Sequence, residues 1–275
     1  MRFKTIFIIF NIVIIISFLF IFFMPLLLLG VGQFDDFLAK NWISGVLFVL
    51  ALGGFNAYFI RNWRLFELLE KEDWQSLIAY LEEAIYDKRR INRRHTKILI
   101  NSYLVTSNTD AILKLGAFLS EQKPEIVPSF AIPLGIPYLL STNASESERF
   151  FGKLLATMKL KDRDWIRWDY AFSLLQGKEI DVAKARFTEL VREANDPMLV
   201  LLSLYMLKSL AGQDEELQEL IHSKAEDFRA HNSPDAWKKK VEKAKDNMQV
   251  LVLSRIISEA GDWVFESAQA EGSAN

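Results

Sequence analysis

Residues 71–81 read Lys71-Glu72-Asp73-Trp74-Gln75-Ser76-Leu77-Ile78-Ala79-Tyr80-Leu81. Three charged, turn-forming residues lead into a run in which Trp74, Leu77, Ile78 and Leu81 recur at i, i+3, i+4 and i+7. That is the period of one face of an α-helix. The same punctuation returns at Thr106-Ser107-Asn108, Ser141-Thr142-Asn143, Gln176-Gly177-Lys178 and Ala211-Gly212-Gln213, with centres 35 residues apart. Between these breaks the apolar residues keep helical spacing, as in Trp165, Trp168, Phe172 and Leu175, or Val200, Leu204 and Leu207. Each interval holds two helices of roughly 12–15 residues with their turns, and no stretch alternates as a half-buried strand would. The pattern predicts an all-α domain.

Helix pairs at this period resemble the tetratricopeptide repeat (TPR), whose signature is W-x2-L-G-x2-Y…A-x3-F…P. Ala131-x2-Leu134-Gly135-x2-Tyr138 carries three of its first four positions, and Thr96-x2-Leu99-Ile100-x2-Tyr103 carries two. Ala183-x3-Phe187 ahead of Pro197 is similar to the second-helix portion, and Asp73–Ala84 resembles a TPR turn and second helix. The resemblance covers about residues 61–225. It departs from the family at Pro133 and Pro137, which lie inside the best signature and remove backbone donors from its helix. The resemblance implies an α-solenoid of antiparallel helix pairs over 61–232; the residues themselves leave an irregular helical bundle open. In a stack of pairs each neighbour buries the other's apolar face, and the ends need polar caps. Ser233-Pro234-Asp235 starts a helix well, with serine capping and proline in the first turn. Residues 233–266 are therefore expected to form a C-terminal capping helix, and the small, polar 267–275 a disordered tail.

Upstream the composition changes. Between Thr5 and Phe34 there is no charged residue, and Asn41–Ile60 is a second uncharged run. About 20 apolar residues cross a ~30 Å hydrocarbon core, so spans over 5–30 and 41–60 are expected, joined by a short loop into a transmembrane hairpin (1–60). A cleaved signal peptide is the competing reading, but its apolar region is only ~7–15 residues. Trp42 and Tyr58 stand where interfacial aromatics belong. Gly53-x-x-x-Ala57 offers a small-residue face for the first span, and Asn11 and Asn56 lie at matching depths, able to bond each other across the hairpin. Arg61–Glu70 contains no glycine or proline, so the second span is expected to run on into the first repeat. Basic residues set orientation: Arg2 and Lys4 precede the first span, Arg61, Arg64 and Lys71 follow the second, and the loop holds Asp35, Asp36 and only Lys40. Both termini are expected in the cytoplasm, at the inner (plasma) membrane.

The 275-residue total hides this division. The chain has 33 basic and 35 acidic residues. Removing the three basic and two acidic residues of 1–60 leaves 30 and 33, a net charge of −3 for the remainder. That balance argues against nucleic acid as a partner. With no cysteine there is no disulfide, iron–sulfur cluster, thiolate metal site, cysteine nucleophile or lipidated amino terminus. His95, His222 and His231 are scattered, and no phosphate-loop motif occurs. No nucleophile–base or metal constellation suggests an enzyme, so no cofactor, metal or small-molecule substrate is expected.

Within the acidic domain Lys88, Arg89, Arg90, Arg93, Arg94 and Lys97 place six cations in ten residues. They suit anionic lipid headgroups or an acidic protein partner, and equally a solvated turn. Lys97 and Asn101 lie one helical turn apart. The TPR resemblance implies that such a pair, with Arg94 alongside, grips a peptide carboxylate as in chaperone-binding members, although Ile132 and Ile136 would continue the face without polar groups. Lys238, Lys239, Lys240, Lys243 and Lys245 form a second basic stretch, suited to a membrane surface, an acidic partner or a solvated capping face. The overall plan resembles bacterial inner-membrane proteins with two amino-terminal spans before a TPR region, including a family associated with haem biosynthesis operons; this domain is shorter than theirs. The function expected from this plan is a membrane-anchored, cytoplasmic-facing scaffold that holds a protein partner. The alternative is an accessory subunit of a transport or secretion complex, with the hairpin packed on other membrane subunits.

Overall fold

A computed structural model describes residues 3–157, 160–245 and 247–272. Every element among them is helical, and they fall into two compact units, Met1–Thr106 and Ser107–Asn275.

The first unit opens with α1 (Phe3–Leu29) and α2 (Val31–Arg61), separated only by Gly30. At φ 83° Gly30 adopts a conformation that side chains disfavour, so one residue suffices to reverse the chain. Residues 31–40, expected as a loop, are instead the first turns of α2. The two helices meet along a seam of half-buried residues spaced three and four apart, Phe7, Asn11, Ile14, Phe18 and Phe22 against Gly45, Phe48, Leu52, Asn56 and Phe59. This spacing keeps one stripe of each helix facing its partner. Phe18 stacks flat on Phe48 with ring centroids 3.7 Å apart, and Phe7 on Phe59 at 5.1 Å. The Asn56 amide donates to Asn11 Oδ1 at 2.7 Å. Away from the seam the surfaces are apolar and exposed, as at Ile16, Phe20 and Leu50. Lys4–Met24 and Ala39–Arg61 are each long and apolar enough to cross a membrane.

The Gly53/Ala57 face does not receive α1. Both residues are exposed, and a Cβ on Gly53 would meet nothing within 4 Å. Counting back from Asn56, the seam falls on 52, 48 and 45, whereas 53 and 57 are turned about 100° away. The close approach is at Gly45, where a Cβ would lie 3.4 Å from the Phe22 ring.

The expected continuation of the second apolar helix into the first repeat is also broken. Asn62 interrupts it with φ −104° and ψ 13°, and its side chain donates to Tyr58 O at 2.7 Å, the local bonding by which asparagine competes with helix. α3 (Trp63–Glu70) follows, held to the hairpin by Phe66 stacked on Phe59 at 5.0 Å and Trp63 edge-on to Phe7. α4 (Trp74–Glu82), a π-helical turn (Glu83–Asp87) and α5 (Arg93–Val105) complete the unit. Leu65, Leu77, Leu81, Ile85, Leu99 and Tyr103 form its core.

The 35-residue punctuation has a structural counterpart. The five breaks at 71–73, 106–108, 141–143, 176–178 and 211–213 are all short turns between consecutive helices, the last three within the second unit. That unit contains α6 (Thr109–Gln122), α7 (Ala131–Leu140), α8 (Ala144–Leu155), α9 (Arg163–Gln176), α10 (Ile180–Glu193), α11 (Pro197–Leu210) and α12 (Glu215–His231). Glu72, Ser107, Lys178 and Gly212 take left-handed φ of 52–64° in four of these turns. An Asx side chain then caps the next helix in four, each bonding the backbone N–H three residues on: Asp73, Asn108, Asn143 and Asp214. The repeat is thus a repeat of turn chemistry.

In the second unit a 3₁₀ segment, Pro124–Phe130, leads into α7, which accommodates Pro133 in its first turn and Pro137 internally. Gly135 lets α8 approach, since a Cβ there would sit 2.8 Å from Phe151. Each helix from α6 to α12 packs on the next, and α7 and α11 both also touch α9. Trp165, Trp168, Phe187, Leu190 and Leu204 lie in the shared core.

The C-terminal region differs from a single cap. It comprises α13 (Pro234–Ala244), α14 (Met248–Val252) and α15 (Ser254–Gly272). α13 buries Trp237 and turns most of its lysines outward. α15 packs along α11, and α14 reaches back to α7. A one-dimensional stack has contacts between neighbours only; here the chain end closes on earlier helices. Gln249 Nε2 donates to Asp169 Oδ1 on α9, both residues fully buried, while Asp169 Oδ2 and Gln249 Oε1 have no partner among the described residues. Burial pushes the Asp169 carboxyl well above its ordinary range, opposed by the Gln249 bond. The backbone stays helical to Gly272, into the expected tail from 267; residues 273–275 of that tail lie outside the described residues.

Candidate functional site at the basic turn

The cation-rich segment 88–97 is the turn from the π-helical residues into α5. Arg89 takes a left-handed φ of 52°, and Arg90 N–H closes the turn on Ala84 O at 2.9 Å. Asn92 then caps α5 by accepting from His95 N–H at 2.9 Å. The six cations divide by role. Lys88 pairs with Glu83 at 2.8 Å. Arg94 is an anchor: its guanidinium lies over the Tyr58 and Phe66 rings, 5.5 and 5.2 Å from their centroids, and donates to Tyr58 Oη. Tyr58 belongs to the last full turn of α2, so Arg94 ties the start of α5 to the end of α2. Arg90, Arg93 and Lys97 are exposed and have no ion pair or side-chain hydrogen bond among the described residues.

Lys97 and Asn101 share an exposed face of α5, but Arg94 is turned to Tyr58 rather than alongside them. Of the positions expected to continue that face, Ile136 is core and Ile132 packs against the core. His95 is half-buried with Nδ1 unpartnered; burial, then Arg94 and Arg90, hold its pKa below the ordinary value. Tyr103 donates to Glu82 Oε1 at 2.6 Å, so Glu82 turns inward while Glu83 stays outside with Lys88.

No sequence pattern signals the cavity of about 480 Å³ in the second unit, lined by Arg163, Arg167, Tyr170, Arg186 and Glu189 among others. Its cations are already engaged. Arg163 donates to the Leu155 and Thr157 carbonyls, Arg167 to Asp164 and Glu193, and Arg186 to both oxygens of Glu189. Among the described residues no group of His, Asp or Glu is placed to hold a metal ion.

Residues 111–266 match the family described as "Uncharacterised Treponema protein". The chain belongs to that family. It is also similar to an "Uncharacterized protein" of Treponema pallidum (strain Nichols), 26% identical over 232 residues, covering 80% of this chain and 74% of the relative. No solved structure matches. The family match covers the helices from α6 to α15, and neither the hairpin nor the basic turn falls within it.

Proposed function

We propose that the chain is a non-catalytic, membrane-anchored adaptor: the hairpin crosses the plasma membrane with both termini in the cytoplasm, and the TPR-like helical region holds a protein partner there. The observation that carries this reading is the hairpin seam. Asn11 and Asn56 turn their polar groups toward each other while the outward faces are apolar, the arrangement a lipid environment favours. Orientation rests on Arg2, Lys4, Arg61, Arg64 and Lys71 flanking the spans. The recurring left-handed turn with its Asx cap, and the packing of α7 and α11 on α9, support the TPR-like reading. A reporter fused after Asn275 tests topology. Activity confined to the non-cytoplasmic side overturns the orientation and the partner's location together.

The alternative, an accessory subunit of a membrane complex, is favoured by one observation: Gly53 and Ala57 face outward and leave a small-residue surface open to another membrane helix. Capture from detergent extracts, with the hairpin replaced by an unrelated one, separates the two. Partners retained support the adaptor; partners lost support the subunit.

A further inference from the structure

We propose that the turn carrying Arg90, Arg93 and Lys97 binds the phosphate groups of anionic phospholipids in the bilayer that the hairpin crosses, which rests on the membrane reading above. Three observations place it there. Arg94 holds the first turn of α5 against Tyr58, so the turn and first helical residues that carry Arg90, Arg93 and Lys97 are anchored to the end of α2. The exposed apolar surface of α2 runs up to Ile60, which is 67% exposed, and gives way to Arg61, also exposed; headgroup level therefore falls at this end. From Lys88 to Lys97 there is no acidic residue, and the three outward cations have no internal partner that a ligand must displace.

The chemistry suits a phosphodiester. Arginine presents paired N–H donors to two phosphate oxygens, and lysine adds a point charge. A zwitterionic headgroup offers the same phosphate, but its ammonium cancels the attraction of the cluster as a whole. An acidic protein is the less favoured occupant, because the patch is continuous with a lipid-facing helix and a partner would have to enter the headgroup layer to reach it.

The test uses the full chain in neutral detergent micelles, titrated with dioctanoyl phosphatidylglycerol or phosphatidylcholine, with bound lipid counted by native mass spectrometry. Phosphatidylglycerol is expected to bind in preference. The variant Arg90→Gln/Arg93→Gln/Lys97→Gln should weaken it on the order of a hundredfold, from a roughly fivefold loss per charge. Arg90→Lys/Arg93→Lys should retain most binding. Lys238→Gln/Lys239→Gln/Lys240→Gln, with the same change in charge at a different basic stretch, should leave it unaltered. Equal binding of both lipids, or equal losses in the two glutamine variants, overturns the proposal. Displacement of the lipid by a glutamate-rich peptide at equal charge concentration also overturns it, in favour of an acidic protein. Alkaline extraction of membranes carrying the chain is the separate control. Release refutes the membrane reading itself, whereas retention without lipid preference refutes only the headgroup site.

Discussion

Asp169 and Gln249 offer the sharpest test of how the second unit is closed. Asp169 is fully buried, accepts one bond from Gln249, and leaves Oδ2 facing no donor, just as Gln249 Oε1 faces none. If the carboxyl is the neutral acid, Asp169→Asn reproduces its bonding: Oδ1 still accepts, and Nδ2 takes the place of the acid O–H. Asp169→Ala leaves both polar groups of the Gln249 amide orphaned, at about 1–3 kcal/mol each. The pH dependence follows from linkage. A carboxyl raised in the folded state means that the folded chain binds one more proton than the unfolded chain between the ordinary value of 3.8 and the raised one. The contribution is fully present below 3.8 and is lost as pH rises through that window, at about 1.4 kcal/mol per pH unit. For a unit of this size that is about 3–5 °C in Tm per pH unit. Thermal unfolding of the full chain in neutral micelles, followed by tryptophan fluorescence as pH is raised from 3.8, should therefore show wild type losing stability relative to Asp169→Asn until the raised value is passed. The Ala variant should be the least stable of the three. If Asn is as damaging as Ala, and wild type shows no excess slope, the carboxyl is ionised when folded and the reasoning is wrong.

Other outcomes follow from single contacts. The Asn11–Asn56 bond should give a coupling of about 0.5–1.5 kcal/mol in a double-alanine cycle on hairpin unfolding in micelles, and strict additivity would remove it as a link. Gly135→Ala should destabilise by about 1–3 kcal/mol through its clash with Phe151, and Phe151→Leu should recover part of the loss in the double variant. His95, its pKa lowered by burial, contributes stability above about pH 6.5 that is lost as pH falls through its folded value. Protection factors in α5, taken against the intrinsic exchange rate at each pH, should fall on acidification in wild type and not in His95→Gln.

Much of the fold was legible because it rests on local chemistry. The turns at 71–73, 106–108 and 141–143 end in Asp or Asn because an Asx side chain caps the following helix, a relation spanning only three residues. The pairing of Asn11 with Asn56 was legible because two long apolar helices that fold back on each other have few choices of register. Three expectations failed where helix phase or competition decided. Gly53 is as small as Gly45 but faces outward, one residue out of step with the seam residue Leu52. Asn62 breaks a segment free of glycine and proline because its amide bonds its own backbone. Gly30 reverses the chain alone, so the expected loop is helix.

The basic cluster illustrates the same limit at the candidate site. Sequence placed six cations together but could not rank them. Only packing shows that Arg94 is spent on Tyr58 and Lys88 on Glu83, leaving Arg90, Arg93 and Lys97 outward. What the sequence determined by itself was the all-helical class, the apolar hairpin and the beat of capped turns, since each depends on residues a few positions apart. What tertiary structure decided was the return of α14 and α15 onto α7 and α11, and the burial of Asp169 against Gln249 across 80 residues of chain. No local period encodes such contacts: they form where helices brought together by the core exclude water, and a buried carboxyl must find its partner among whatever packs there.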